Sequence, residues 1–209
     1  MQRSLILLLS FCIFYSCTMK PEKVLLFIRD GSGDLNYTLK EEVGVMKEIL
    51  EEAGFTVVVA TISGLPLSTD SVQIIPDLKL SDVEIIDYSG IILPCMHAGA
   101  SMEEVDPLAV KLVKEANLSN IPIAVQHASI MTLAKAGILK GKQYTYHKEV
   151  EADEFAGFEG SKYCGTGVVR DGNIITSGVC PYLEKLYGLE DGTQKLILTL
   201  IDIVNEKVK

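Results

Sequence analysis

The chain has 209 residues, of which 48% are hydrophobic, 7% aromatic and none tryptophan, enough for one substantial domain with an ordinary core. Its formal charge of −9, with no basic cluster to override that average, argues against nucleic acid as a partner, because phosphate binding needs a basic surface.

The N-terminus reads as a targeting segment rather than as fold. Met1-Gln2-Arg3 is a short basic start, and Leu5 to Tyr15 is an apolar run the length of a signal-peptide core, too short for a transmembrane span. It closes on Phe14-Tyr15-Ser16-Cys17, which resembles a bacterial lipoprotein signal. The sequence therefore predicts a signal peptide over 1–16, lipidation of Cys17 with a tether to residue 22, and one α/β domain over 23–207. Acyl groups would hold such a chain on the bacterial cell envelope, as a periplasmic or outer-membrane lipoprotein, without a membrane-spanning helix. A cleaved secretory signal and a retained anchor are the alternatives. After export Cys95, Cys164 and Cys180 remain, an odd number, so at least one thiol is left free unless it pairs between molecules.

Val24 to Arg29 is the first buried strand, and Asp30 to Asp34 a polar loop that fits neither nucleotide-binding pattern. Apolar residues at helical spacing predict a helix over 38–53, ended by Gly54, then a strand over 55–61. Residues 62–87 form a long connection with a small hairpin near Val72 to Ile75. Tyr88 to Leu93 is the next buried strand, running into Pro94-Cys95-Met96-His97. Asp106-Pro107 caps a helix over 108–116. Ile121 to Val125 is continuously apolar, the pattern of a central strand. It turns at Gln126-His127-Ala128-Ser129 into a helix over 130–136, with Gly137 at the C-cap. A strand at 143–146, an acidic loop over 149–159 and a hairpin of 163–170 with 173–177 follow, the latter turned by Asp171-Gly172. Gly178 to Pro181 is a loop, and 194–204 a terminal amphipathic helix. Alternating strands and helices predict a mainly parallel sheet covered on both faces, with the site at the carboxyl ends of the strands.

Several segments in this order resemble the ThiJ/PfpI family of the class I glutamine-amidotransferase-like superfamily. They are Ile91-Ile92-Leu93-Pro94, Ile123-Ala124-Val125-Gln126-His127, and Leu133-Ala134-Lys135-Ala136-Gly137-Ile138-Leu139-Lys140-Gly141, with Thr145 beyond. The resemblance implies a flavodoxin-like three-layer α/β sandwich, a homodimer or higher homo-oligomer, and a catalytic Cys on the strand–helix elbow supported by a Glu from the first helix. On that alignment Glu42 takes the helix position, with Glu41 a near rival, His127 takes the position of the His after the Cys, and Gln126 takes the nucleophile's. The family commonly has Gly-Gly after the Leu-Pro; this chain has Cys95-Met96.

An amide is neither nucleophile nor base, so the family reaction is not expected at Gln126. The leading expectation is a lipid-anchored, non-catalytic small-molecule-binding or stress-related protein. Gln126, His127, Glu42 and Met96 would line a pocket for a small polar ligand. The alternative is a cysteine-dependent hydrolase, peptidase or glyoxalase-like enzyme using Cys95 or Cys180 with His127; an interaction module using the dimer surface is a third. Each residue also has a plain reading: His127 a packed ring, Glu42 a solvent-facing acid, Cys95 and Cys180 small apolar residues or a disulfide. Cys164 sits in a predicted strand and is expected to be inert, and Glu103 or Glu104 would supply an acid across the dimer. Cys95, His97, His127 and Cys180 are zinc-type ligands at the spacing of no standard motif, so neither metal nor cofactor is predicted.

Overall fold

The computed structural model describes residues 22–30, 35–95, 105–150 and 155–208. The signal segment, Cys17, Met96, His97, Glu103, Glu104 and residues 151–154 of the acidic loop therefore lie outside the described residues. No helix among those described is long and apolar enough to cross a membrane.

Three short apolar runs build the centre of the sheet: β1 (Lys23–Ile28), β6 (Gly90–Leu93) and β7 (Ile123–Gln126), with β6 between the other two. Apolar residues at consecutive positions, with Lys23 and Gln126 only at strand ends, suit strands covered on both faces, because successive side chains point to opposite sides. Leu25, Phe27, Ile91, Leu93, Ile123 and Val125 pack into one core layer, and Val24, Leu26, Ile28, Ile92 and Ala124 into the other. Each buried aliphatic side chain contributes about 1.5–3 kcal/mol of burial free energy, so the two layers hold the sheet in register.

Among the described residues the sheet has seven strands. Beyond β1 lie β2 (Thr56–Thr61) and the short β5 (Leu78–Lys79), both parallel. Beyond β7 lies β11 (Ile174–Ser177), parallel to it, and then the edge strand β10 (Val168–Asp171), antiparallel. One layer carries α3 (Pro107–Leu118) and α4 (Ile130–Ala136); the other carries α2 (Gly44–Glu52) and α6 (Thr193–Val208). This is the flavodoxin-like sandwich expected from the sequence.

The local signals act as read at several points. Asp106 caps α3, its carboxylate accepting the Leu108 N–H at 2.7 Å with Pro107 in the first turn. Gly137 closes α4 in the left-handed conformation, φ 72°.

Elsewhere the chain departs from expectation. The expected strand over 163–170 divides into β9 (Lys162–Tyr163) and β10, with Gly165 and Gly167 in the break. β9 pairs with β8 (Gln143–Tyr144) outside the main sheet. The hairpin turns one residue later than predicted, at Gly172-Asn173, because Asp171 still pairs with Ile174. In the long connection β3 (Leu67–Ser68) and β4 (Gln73–Ile74) form the small ladder, while β5 joins the main sheet. The loop at Gly178 runs into a helix absent from the sequence expectation, α5 (Pro181–Tyr187), ended by left-handed Gly188. The first helix begins earlier, as the single turn α1 (Leu35–Tyr37), and passes through a π-helical turn over Thr38–Val43 before α2.

Candidate thiol and histidine site

The β7–α4 elbow is where sequence and structure part most usefully. Gln126 is extended, with φ −100° and ψ 125°. The residue forced into the left-handed region is His127, at φ 39°. A non-glycine residue held there costs on the order of 1–3 kcal/mol and persists only where its surroundings fix it. The elbow thus falls one residue later than the sequence suggests. The strained residue at the turn is His127, one position after the residue that the family resemblance aligns with the nucleophile.

That shift reverses the roles of the two residues. Gln126 points to the same side of the sheet as Ala124, away from the site. Its Nε2 donates to the Val179 carbonyl at 2.6 Å and to Thr193 Oγ1 at 3.2 Å, and its side chain is fully buried. It ties the end of β7 to the loop before α5 and to the start of α6; it does not line an open pocket.

His127 turns the other way and meets two thiols. Cys95 follows β6, and Cys180 is the residue before α5. The ligating atoms of Cys95, His127 and Cys180 all lie within 4.8 Å of one another, and all three residues are buried. His127 Nδ1 is 3.3 Å from Cys95 Sγ. Its Nε2 is 2.8 Å from Nδ1 of His147, and its ring stacks on Tyr146 with centroids 4.6 Å apart and planes 11° from parallel. The strained backbone and the stacked ring together fix which nitrogen faces the sulfurs.

Glu42 completes the cluster from below. The π-helical turn carries it, its side chain is buried, and its Oε1 accepts the Cys95 N–H at 2.5 Å. Such turns hold one extra residue inside a helix and recur at functional sites. Glu41, the sequence rival, is partly exposed and pairs with Lys40 at 3.1 Å.

The electrostatics separate the two thiols. The hydrogen bond from Cys95, joined by the hydrogen bond and charge of His127, outweighs burial and brings Cys180 down to about 5. The same sulfur–sulfur hydrogen bond, then burial and the nearby Glu42, push the Cys95 thiol well above its ordinary value. Burial, followed by the charge on Cys180, raises the Glu42 carboxyl well above the usual carboxylate range against the pull of the Cys95 N–H. Cys180 is thus the more acidic thiol of the pair, while the charged forms of Cys95 and Glu42 are disfavoured by their surroundings.

Of the residues singled out from sequence, the structure brings Cys95, Cys180, His127 and Glu42 together and sends Gln126 elsewhere. Cys164 lies apart and exposed just after β9, its thiol donating to Gln143 Oε1 at 3.2 Å. His147 was not foreseen. The chain has only three histidines, so each merited a place at the sheet edge, but no spacing links residue 147 to the elbow. The cap position of Cys180 had a readable signal in Pro181 and Gly188, at either end of α5.

A doubly wound sheet whose central strand turns through a strained residue into a helix, beneath a buried thiol, defines a class of flavodoxin-like α/β proteins. Residues 22–187 match the DJ-1/PfpI family, and the chain belongs to it. An uncharacterised protein of Methanocaldococcus jannaschii is 33% identical over 154 residues, 72% of this chain and 73% of that one. Protein dj-1beta of Drosophila melanogaster is 29% identical over 136 residues, covering 64% and 71%. The crystal structure of a ThiJ/PfpI domain protein from Brachyspira murdochii superimposes with a TM-score of 0.69 at 17% identity, over 90% of this chain and 99% of that chain. That last likeness concerns the fold alone.

Proposed function

We propose that this protein is a DJ-1/PfpI member whose reactive thiol has moved from the elbow to Cys180, and that it acts on a small electrophile through that sulfur. Within the range of family activities this is cysteine-dependent chemistry of the hydrolase or glyoxalase-like kind. One observation carries the reading: the Cys180 sulfur lies in a buried site within 4.8 Å of both the Cys95 sulfur and a His127 ring nitrogen. A thiolate held by two donors is a preorganised nucleophile. His127 orients it and is placed to return a proton, while Cys95 holds the second S–H. The burial restricts the partner to a small molecule. The non-catalytic pocket expected at Gln126 has less support, because that side chain is fully buried and its Nε2 is held by Val179 and Thr193.

The N-terminal segment extends the proposal. Lipidation of Cys17 would tether the domain to the bacterial envelope, and self-association as a homodimer is what the family resemblance implies.

The test is alkylation of the native full-length chain, treated with a chelator, by a limiting amount of iodoacetamide at neutral pH, with sites located by mass spectrometry. Cys180 should label before exposed Cys164. Labelling of Cys164 with none of Cys180 until the chain is unfolded would overturn the reading.

A further inference from the structure

The three atoms that meet at the elbow also satisfy the requirements of a metal centre. We propose that Cys95 Sγ, Cys180 Sγ and His127 Nδ1 form a binding site for a thiophilic d10 cation, of which Zn(II) and Cu(I) are the common examples.

Donor chemistry comes first. Two sulfurs and one imidazole nitrogen are a soft to borderline set, which discriminates against magnesium and calcium. Geometry agrees. Tetrahedral zinc at its usual bond lengths places two sulfurs about 3.8 Å apart and a sulfur and a nitrogen about 3.5 Å apart. Here the Cys95–His127 pair is at 3.3 Å and no pair in the set exceeds 4.8 Å, so adjustments of about 1 Å or less would seat the ion.

The surroundings supply an independent argument. A ligating histidine is held through its other nitrogen by an outer partner, which fixes both tautomer and ring angle. His127 has that partner in His147, at 2.8 Å from its Nε2. With the proton of this bond on His127 Nε2, Nδ1 presents its lone pair to the sulfurs. The strained φ at His127 and the stacking on Tyr146 hold the ring in place before any ion arrives. Burial of all three ligands removes competing water and leaves one coordination position for a fourth donor. Coordination displaces the S–H proton of Cys95, so loading releases a proton.

The metal proposal uses the same side chains as the thiol reading but does not depend on it. A bound cation would occupy the sulfur lone pairs and silence alkylation, so the two properties exclude each other at any moment.

The test is titration of the full-length, chelator-treated chain with Cd(II), read by the ultraviolet thiolate-to-cadmium charge-transfer band, with displacement by Zn(II) as the second readout. One equivalent should saturate the band. Cys95→Ser and Cys180→Ser should each abolish the stoichiometric endpoint, while Cys164→Ser titrates like the parent. His147→Ala should weaken binding by about 10–100-fold, the usual effect of losing an outer partner. Circular dichroism of each variant separates lost ligation from lost fold. No saturable band, or a one-equivalent endpoint that survives the Cys95→Ser/Cys180→Ser pair in a folded chain, overturns the site. If cadmium binds but Cys180 fails to alkylate in the chelated protein, the metal site stands and the reactive-thiol reading falls. If Cys180 alkylates and cadmium does not bind, the thiol reading stands and the metal site falls.

Discussion

Gln126 and His127 are adjacent, yet they belong to regions with opposite purposes. Gln126 enters a polar knot of Val179, Asp191 and Thr193, in which conventional hydrogen bonds join β7, the loop before α5 and the start of α6. His127 enters a cluster of two sulfurs and the Glu42 carboxyl, whose surroundings lower one thiol and raise the other. The first region joins elements of the fold, and the second is where the proposed thiol chemistry would take place. Both are buried, so burial alone does not separate a structural polar group from a chemical one. What separates them is the chemistry of the neighbours: the Gln126 Nε2 meets oxygen acceptors, whereas His127 meets two sulfurs.

His127→Ala should expose this division most strongly. Removing the imidazole takes one donor from the Cys180 thiolate, and alkylation of Cys180 should change by on the order of ten- to a hundredfold, matching the ~1.5–3 kcal/mol of a hydrogen bond to a charged group. Urea unfolding of the same variant should shift less than the reactivity does. A reactivity within twofold of the parent would place His127 in the structural class after all.

Gln126→Leu should do the converse. It removes the 2.6 Å donor to the Val179 carbonyl, which keeps the Gly192 N–H and Ser177 Oγ at 3.1 Å each, and should lower unfolding free energy by about 0.5–1.5 kcal/mol, the net worth of one hydrogen bond. Equilibrium urea denaturation measures it, and an unchanged midpoint would mean that the knot carries no stability.

A smaller effect is expected far from the site, at the turn of the β10–β11 hairpin. The Gln143 N–H donated to Asp171, with help from Lys142, holds that carboxyl below the usual carboxylate range despite partial burial. A lowered value in the folded state stabilises above the unfolded carboxyl's value of about 3.9 and is lost as pH falls through the folded value. Asp171→Asn should therefore cost about 1 kcal/mol at neutral pH and flatten the loss of stability below pH ~4. Unfolding curves at pH 3 and pH 7 test the sign. Cys164→Ser should be the quietest change, within ~0.5 kcal/mol, since the residue is exposed and outside both regions. A larger shift in unfolding midpoint would assign Cys164 a role.

How much of this was legible beforehand depended on the kind of signal. The buried strands, the Asp106 cap and the Gly137 terminus follow from local rules: apolar runs, a carboxylate before proline, a glycine at positive φ. The family resemblance carried the layer order. The convergence of Cys95, Cys180 and His127 could be placed at one edge but not resolved, because three loops distant in sequence meet only in the finished fold. The one-residue error at the elbow has a definite cause. Side chains alternate along β7, so a shift of one position exchanges the two faces of the sheet. Nothing local to Gln126-His127 states which residue ends the strand. The division of the strand at Gly165 and Gly167 and the helix after Cys180 were readable from glycine and proline, and were under-weighted.

The π-helical turn has a consequence for how this chain can vary. Gly44 N–H reaches back to Leu39 O, five residues away, where an α-helix would reach four. Remove one residue from this turn, and the ordinary helix is restored while everything before the cut swings by about 100° relative to the rest of the helix. Glu42 would leave Cys95 without any substitution at position 42. The carboxyl's place beside the sulfurs is stored as a segment length, so insertions and deletions there should be tolerated far less than changes of residue on the exposed side of the same turn.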